Sequence, residues 1–501
     1  MKILSAQQIR EADKQTIQNE PISSIDLMER AVSKLFESID ASYSDDSSFA
    51  IFCGKGNNGG DGLALAKWLF QNDYFVQVYI IEHTDSASED FKENYKRLSD
   101  LEVGVLHISA AAEIPEMDDE TVLIDAMLGS GLSRPLEGLL GDVVKSLNTL
   151  QNERLAIDIP TGLFADDNSE NCFDVIFNAD VTLTFQCPKL SMVHRDTVHF
   201  VGQIEVLDIN LDEAFIERTS SLYSYLTPDQ VAHLYKPREK FSYKGTYGHA
   251  LLIAGSYGSL GAALMSGKAC LRSGAGLLTA FIPKCGVEIY QSALPEAMVI
   301  SSDNEEVISG LPDLGKYNAV GVGPGLGTSS EASKTLENLL EAFEGKMVLD
   351  ADALNILAAN PDFVNKLSTH TILTPHPGEF KRLLGLQELK PDYLERLREF
   401  AKKHSIIVVL KDAITAIAAP DGQIYFMDYG TPALAKGGSG DVLTGIITGL
   451  LASGYDPLHA AQLGVYLQGI AAHFASDETS EEACLATDVI HNLGKAFRTL
   501  S

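Results

Sequence analysis

Apolar residues along this chain follow two patterns. Over residues 1–40 they are spaced loosely among polar positions (Ile9, Ile17, Ile25, Leu27, Met28, Val32, Leu35 and Phe36), which predicts helix throughout that stretch. Beyond it, short apolar runs alternate with longer helical stretches. Phe49–Phe52, Phe75–Ile81, Val103–Ile108, Val122–Ile124, Leu155–Ile157 and Val181–Phe185 are each about strand length, bounded by Gly, Pro, Asp or Asn. Runs that stay apolar at successive positions belong to parallel strands buried on both faces. The prediction is an α/β fold with a parallel sheet between helical layers.

The rhythm lapses from Leu211 to Arg238, where Thr219-Ser220-Ser221 and Thr227-Pro228-Asp229 mark breaks. A domain boundary near 215–228 follows, dividing a Rossmann-like three-layer domain (1–220) from a second α/β domain (221–501). In the second, Ala250–Ala254, Tyr317–Val322, Met347–Leu349, Thr371–Leu373 and Ile406–Leu410 read as strands. Gly-rich turns recur at their ends, where open α/β sheets bind ligands. There is no internal repeat.

Charge narrows the partners. Against 38 Lys+Arg stand 69 Asp+Glu, a formal net charge of −31. Only 21% of residues are charged and 45% are hydrophobic, so the acidity is a bias on a globular surface. Nucleic acid and anionic membrane surfaces, which need excess Lys/Arg, are disfavoured as partners. Any polyanionic ligand must be held locally, by backbone N–H groups and helix N-termini. No apolar run reaches the ~20 residues of a membrane span. Met1–Gln8 turns polar too early for a signal peptide. Six dispersed cysteines without metal-ligand spacing complete the expectation of a cytoplasmic protein, with a homo-oligomer left open.

The sharpest feature of the first domain is Gly54-Lys55-Gly56-Asn57-Asn58-Gly59-Gly60-Asp61-Gly62, directly between a strand and a helix. It is neither a Walker A loop nor GxGxxG. Five glycines let backbone approach a ligand closely, and the helix start offers free N–H groups to phosphate; a tight strand–helix turn is the plainer alternative. Two more strand ends match it, Ile124-Asp125-Ala126-Met127-Leu128-Gly129-Ser130-Gly131 and Ala156-Ile157-Asp158-Ile159-Pro160-Thr161-Gly162. Three such segments in one sheet favour a shared cleft over three separate caps. Asn58, Asp125 and Thr161 offer only oxygen ligands, the choice of a hard cation.

These segments resemble the NAD(P)H-hydrate epimerase family over essentially residues 1–215. The resemblance implies that Asn57, Asn58, Gly59, Gly60 and Asp61, with Gly129, Ser130, Gly131, Leu132, Ser133, Arg134 and Pro135, line a hydrated nicotinamide dinucleotide. It implies that Asn58, Asp125 and Thr161 bind potassium, and that Asp158 stands at the reacting ring. The R and S epimers differ at C6, whose hydroxyl is part of a carbinolamine. Moving its proton scrambles that centre, so Asp158 is the candidate acid/base.

The strongest signal in the second domain is Ala435-Lys436-Gly437-Gly438-Ser439-Gly440-Asp441-Val442-Leu443-Thr444-Gly445. Val442, Leu443, Ile446, Ile447, Leu450 and Leu451 mark one face of a buried helix. Gly437, Gly438, Ser439 and Gly440 at its start form an anion hole for a phosphoryl group in flight. Asp441 in the first turn can take the proton of an attacking hydroxyl, though Asp is also favoured there as a capping residue.

This segment is the signature of the ribokinase-like superfamily, and it does not stand alone. Lys244–Gly248, Leu252–Ser256, Gly261–Ala263, Val322–Gly327, Leu349–Asn355 and Leu373–Phe380 flank it in order. Together they resemble the ADP- or ATP-dependent NAD(P)H-hydrate dehydratases over about residues 225–498. That likeness implies contacts from Ala262, Gly325, His376 and Asp441 to the hydrated nucleotide. It implies contacts from Lys411, Asp412, Ala413, Ile414, Thr415 and Gly440 to ADP or ATP, with Mg2+ bridging the donor phosphates. Asp412 departs from the glycine usual in that family, and a carboxylate beside a phosphate is repulsive unless it points away or meets a cation. For His376, between prolines, the plainer but lesser alternative is that it fixes its loop.

The expected function is therefore a two-step repair: epimerisation of R- and S-NAD(P)H-hydrate (NADHX, NADPHX), then dehydration of the S form to NAD(P)H by phosphoryl transfer from a nucleotide, ADP before ATP, followed by phosphate elimination. The rival is a ribokinase-superfamily small-molecule kinase whose N-terminal domain binds a nucleotide without catalysis.

Overall fold

The computed structural model describes residues 1–500, which divide into two compact units, Met1–Tyr223 and Ser224 onward. The first is built on β1 (Ser48–Cys53), β2 (Phe75–Ile81), β3 (Gly104–Ile108), β4 (Val122–Ala126), β5 (Arg154–Ile157), β6 (Val181–Phe185) and β7 (Gln203–Leu207). Their order is β3-β2-β1-β4-β5-β6-β7, and every neighbouring pair is parallel. β1 shows why the runs are continuously apolar. Phe49, Ile51 and Cys53 enter one core with Val32, Leu35 and Leu63, whereas Ala50 and Phe52 enter another with Val143, Val144 and Phe177. Successive residues of a strand point to opposite faces, and here helices cover both.

The stretch 1–40 is helical, but as two helices, Ala6–Asn19 and Ser24–Ser42, interrupted at Pro21. Each begins at a serine whose hydroxyl accepts from the third residue on, Ser5 from Gln8 and Ser23 from Asp26. β7 was not expected from the sequence. It sits at the sheet edge, where Gln203 and Glu205 alternate with Ile204 and Val206 instead of forming an apolar run.

Strand order reverses between β1 and β4. The chain leaves β1 toward β2 and β3, and from β4 builds the other way, so the loops after these two strands diverge and leave a crevice at the carboxyl edge.

The second unit repeats this logic in a ten-stranded sheet: β8 (Tyr223–Tyr225), β9 (His249–Ile253), β10 (Leu277–Ile282), β11 (Met298–Ser301), β12 (Ala319–Val322), β13 (Lys346–Leu349), β14 (Thr371–Leu373), β15 (Ile407–Leu410), β16 (Thr415–Ala418) and β17 (Ile424–Met427). The order is β11-β10-β9-β12-β13-β14-β15-β16-β17-β8, so the reversal falls between β9 and β12. β11 through β15 run parallel; β16 and β17 turn back antiparallel.

The helix Ser439–Ala452 is buried at every residue from Val442 to Ala452 and packs on the helix Leu260–Arg272. A Cβ at Gly445 would lie 2.2 Å from the carbonyl oxygen of Ser266, so only glycine permits this crossing. Among the described residues no helix is long and apolar enough to cross a membrane.

Candidate active sites

In the first unit the crevice between β1 and β4 is a cleft of about 490 Å³. The helix Asn57–Gln71 starts at its edge, capped by Gly56 with no side-chain bond to its first N–H groups. Asn57, Asn58 and Asp61 line the cleft, as do Gly129, Ser130, Gly131 and Leu132. Gly59 and Gly60 are buried beneath it. A Cβ at Gly59 would lie 1.7 Å from the carbonyl oxygen of Gly54, so this glycine serves the tight turn itself. Ser133 lines a neighbouring cleft of about 320 Å³; Arg134 and Pro135 line neither.

Asp125, fully buried at the end of β4, ties the ends of β4 and β5 together. Its carboxylate accepts from Thr161 N (2.7 Å), Thr161 Oγ1 (2.7 Å) and Met127 N (3.0 Å). Burial nevertheless pushes its pKa up to about 6, because these donors are neutral and offset desolvation only in part. Thr161 Oγ1 also accepts from Leu128 N at 2.9 Å. Asn58 packs beside Gly129, and its buried Nδ2 has no partner.

Asp158 follows β5 with φ of 66°, a left-handed conformation uncommon for a residue other than glycine. It lines the cleft and forms an ion pair with Lys189 Nζ. Lys189 is wholly buried and also donates to Thr184 Oγ1 at 2.7 Å. Sequence reasoning missed Lys189, since a lysine two residues past Cys187 reads as solvated. It also missed Asp13, which reaches the cleft from the helix Ala6–Asn19. Burial, reinforced by Asp158, pushes the Asp13 carboxyl up to about 6, and burial holds Asp61 well above the carboxylate range. The cleft therefore offers one carboxylate paired with a buried lysine and two whose burial biases them toward the proton.

In the second unit, Gly438 has φ of 99° and turns the chain into the helix Ser439–Ala452. The loop before it is anchored by Lys436 Nζ on the Cys484 carbonyl (2.8 Å), and Gln468 Nε2 donates to Ser439 O (2.6 Å). Gly437 faces open space, and a Cβ at Gly440 would stand 3.1 Å from Lys411 Nζ. Lys411 pairs with buried Asp350 at 2.8 Å, and Asp350 also accepts from Thr444 Oγ1 at 2.7 Å. Asp441 sits half-buried in the helix's first turn. Burial, with Asp350 adding to it and Lys411 opposing, pushes its pKa up to about 6.

Other expected residues gather nearby. Gly325 (φ 60°) faces Ala262, whose Cβ would lie 3.2 Å from a Cβ at Gly325. His376 caps the helix Pro377–Leu383: its Nδ1 accepts from Gly378 N at 3.0 Å, while its ring stays half-exposed. Its backbone N–H donates to Glu379 at 2.9 Å, and Glu379 in turn feels Lys411 and Asp350. Lys411–Thr415 form the turn from β15 into antiparallel β16. Asp412 is exposed there, with Oδ1 accepting from Ala413 N at 2.9 Å.

The chain is similar to known proteins over both units. A family model described as NAD(P)H-hydrate dehydratase matches residues 250–495, and one described as YjeF-related protein N-terminus matches residues 24–191. A bifunctional NAD(P)H-hydrate repair enzyme of Moorella thermoacetica is 34% identical, covering 100% of this chain and 97% of its own. One from Coxiella burnetii is also 34% identical, covering 97% of both. Among solved structures, a ribokinase-like superfamily protein from Enterococcus faecalis V583 matches with a TM-score of 0.50 at 25% identity, over 56% of this chain and 98% of that one.

The single tryptophan, Trp68, lies in the first unit and reports its unfolding selectively. Lys189→Met leaves Asp158 as an unpaired buried charge and should lower that unit's stability by about 3–5 kcal/mol in urea unfolding followed by Trp68 fluorescence. Asp158→Asn combined with Lys189→Met should recover part of the loss; strictly additive effects would mean the pair is not coupled.

Proposed function

The chain belongs to the family of bifunctional NAD(P)H-hydrate repair enzymes, and we propose that it interconverts the R and S hydrates in its first unit and dehydrates the S hydrate in its second. The observation that carries this reading is the presence of two unlike proton-moving sites in one chain. One is a carboxylate–lysine pair in a cleft, the other a raised carboxylate at the start of a glycine-led helix.

In the first unit, epimerisation by loss and return of water needs a proton placed on the C6 hydroxyl and later withdrawn from the returning water. Epimerisation by ring opening needs the hydroxyl proton withdrawn and moved to the ring nitrogen. Asp158 is placed to withdraw it, because its carboxylate lines the cleft and is held in position by Lys189. Its left-handed backbone aims the carboxylate at the cleft from the end of β5. The oxygen set of Asn58, Asp125 and Thr161 fits potassium: a buried carboxylate without a cationic partner, a hydroxyl, and an amide whose nitrogen is left unsatisfied. Bound there, the ion would balance Asp125 and hold the ends of β4 and β5 to the helix start.

In the second unit, hydroxide leaves poorly from C6, so the hydroxyl is first phosphorylated. Asp441 takes its proton, and the N–H groups of Gly437–Gly440 receive the phosphoryl group between donor and acceptor. The ring nitrogen then expels phosphate to leave an iminium, and loss of a proton from C5 restores the dihydronicotinamide. ADP or ATP is the donor, entering with Mg2+ to neutralise its phosphates. Lys411 faces the anion hole beside Gly440 and is placed to meet those phosphates. Asp412, folded onto its own turn, need not oppose them. The six cysteines are free thiols, which suits a reducing cytoplasm.

Incubation with mixed hydrate epimers and ADP or ATP should return all of the substrate as reduced nicotinamide. Asp158→Asn should leave the R hydrate behind after the S form is consumed, and Asp441→Asn should yield almost no reduced nicotinamide while epimerisation continues. A stable phosphorylated product without reduced nicotinamide would identify a kinase instead.

Because the Asp441 carboxyl lies raised near 6, the base form is lost as pH falls through that value. The kcat/KM of dehydration should therefore drop about tenfold per unit below roughly pH 6, and a flat profile down to pH 5 would remove Asp441 from the role of base. Replacing lithium by potassium should raise the unfolding midpoint seen by Trp68 fluorescence, and Thr161→Val should abolish that response. An unresponsive midpoint in the unaltered protein would count against the potassium site.

A further inference from the structure

A nicotinamide dinucleotide is two nucleosides joined by an anionic pyrophosphate, and the first unit has two clefts joined at one place. The cleft of about 490 Å³ holds Asp158; the one of about 320 Å³ lies beside it, walled by Phe164, Ser133 and Ser169 together with the carboxylates Asp166, Asp167 and Glu170. They share Arg10, Ser130, Gly131 and Leu132. A Cβ at Gly131 would meet nothing within 4 Å, so its backbone is open to a ligand. Arg10 is exposed, lies on the helix Ala6–Asn19, and has no hydrogen bond or ion pair among the described residues. Asp166, a carboxyl that feels its charge, is engaged by the amide of Ala6 at 3.3 Å.

The electrostatics single out the same residue. Asp13, Asp61 and Asp158 all face the larger cleft, and the charge of Lys189 is taken by Asp158. Arg10 is thus the cation lining this cleft that is left to meet an anion. A guanidinium offers paired N–H donors that match phosphate oxygens. Resting on the epimerase reading above, we propose that Arg10 anchors the pyrophosphate of the hydrated dinucleotide at the junction of the two clefts, with the dihydronicotinamide half toward Asp158 and the adenosine half in the smaller cleft. Arg10 precedes the matched family segment 24–191, so the N-terminal helix becomes part of the substrate site.

The test is epimerisation of purified S hydrate by the full chain with no ADP or ATP present. Arg10→Ala should raise KM about 10- to 100-fold, the loss expected for one charge-assisted contact, with kcat changed less than about threefold; Arg10→Lys should recover part of it. ADP-ribose, which carries the adenosine and pyrophosphate without the reacting ring, should inhibit competitively, and Arg10→Ala should raise its Ki by the same factor as KM. Trp68-detected unfolding should change little, since Arg10 makes no hydrogen bond or ion pair among the described residues. An unchanged KM in Arg10→Ala, a loss confined to kcat, or failure of ADP-ribose to compete overturns the proposal. Absence of epimerisation in the unaltered protein would overturn the functional reading instead.

Discussion

A parallel sheet wound in both directions has one seam that its own connections cannot cover. Where neighbouring strands send their chains to opposite sides, the loops part and the carboxyl ends of the strands face solvent. Both units are organised by that constraint, between β1 and β4 in one and between β9 and β12 in the other. Helix starts converge on the seam because each crossover begins there. Residues remote in sequence, such as Asn58, Asp125 and Asp158, become neighbours for no reason other than strand order.

The seam brings a difficulty with it, because strand-end carboxylates are buried where an anionic substrate must bind. The molecule treats them differently. Asp125 is surrounded by neutral donors, which leaves its negative charge poorly compensated. Asp158 receives a buried lysine, and Asp350 a lysine and a threonine hydroxyl. Asp441 stands at a helix start in partial exposure and is biased toward the proton. These environments separate acids from bases among groups of one chemical kind. They also explain how a chain of net charge −31 handles phosphorylated ligands: attraction is confined to a few N–H arrays and cations.

How much of this the sequence discloses depends on the kind of signal. Strands buried on both faces announce themselves, as Phe49–Phe52 and Val181–Phe185 do. β16 does not, because Thr-Ala-Ile-Ala has little strand preference of its own and is held by pairing to β15 and β17. The glycine loops were legible as sites, although Gly59 and Gly62 turn out to answer to packing: a Cβ at Gly62 would come within 2.5 Å of the Ala126 Cβ. Arg10, Asp13 and Lys189 were not legible. Polar residues on an amphipathic helix, or a lysine after a strand, look solvated until the tertiary fold brings them to the cleft.

The Lys189–Asp158 pair also bears on how the first unit assembles. Asp158 follows β5, and Lys189 lies four residues beyond β6, with a long crossover between them. Neither charge can leave water alone without a large desolvation cost, so each waits for the other. Docking of β6 beside β5 and sealing of the cleft floor therefore become one cooperative event. A chain that has paired only as far as β5 keeps its cleft open to water, and the Asp158 carboxylate is oriented only when the neighbouring strand arrives.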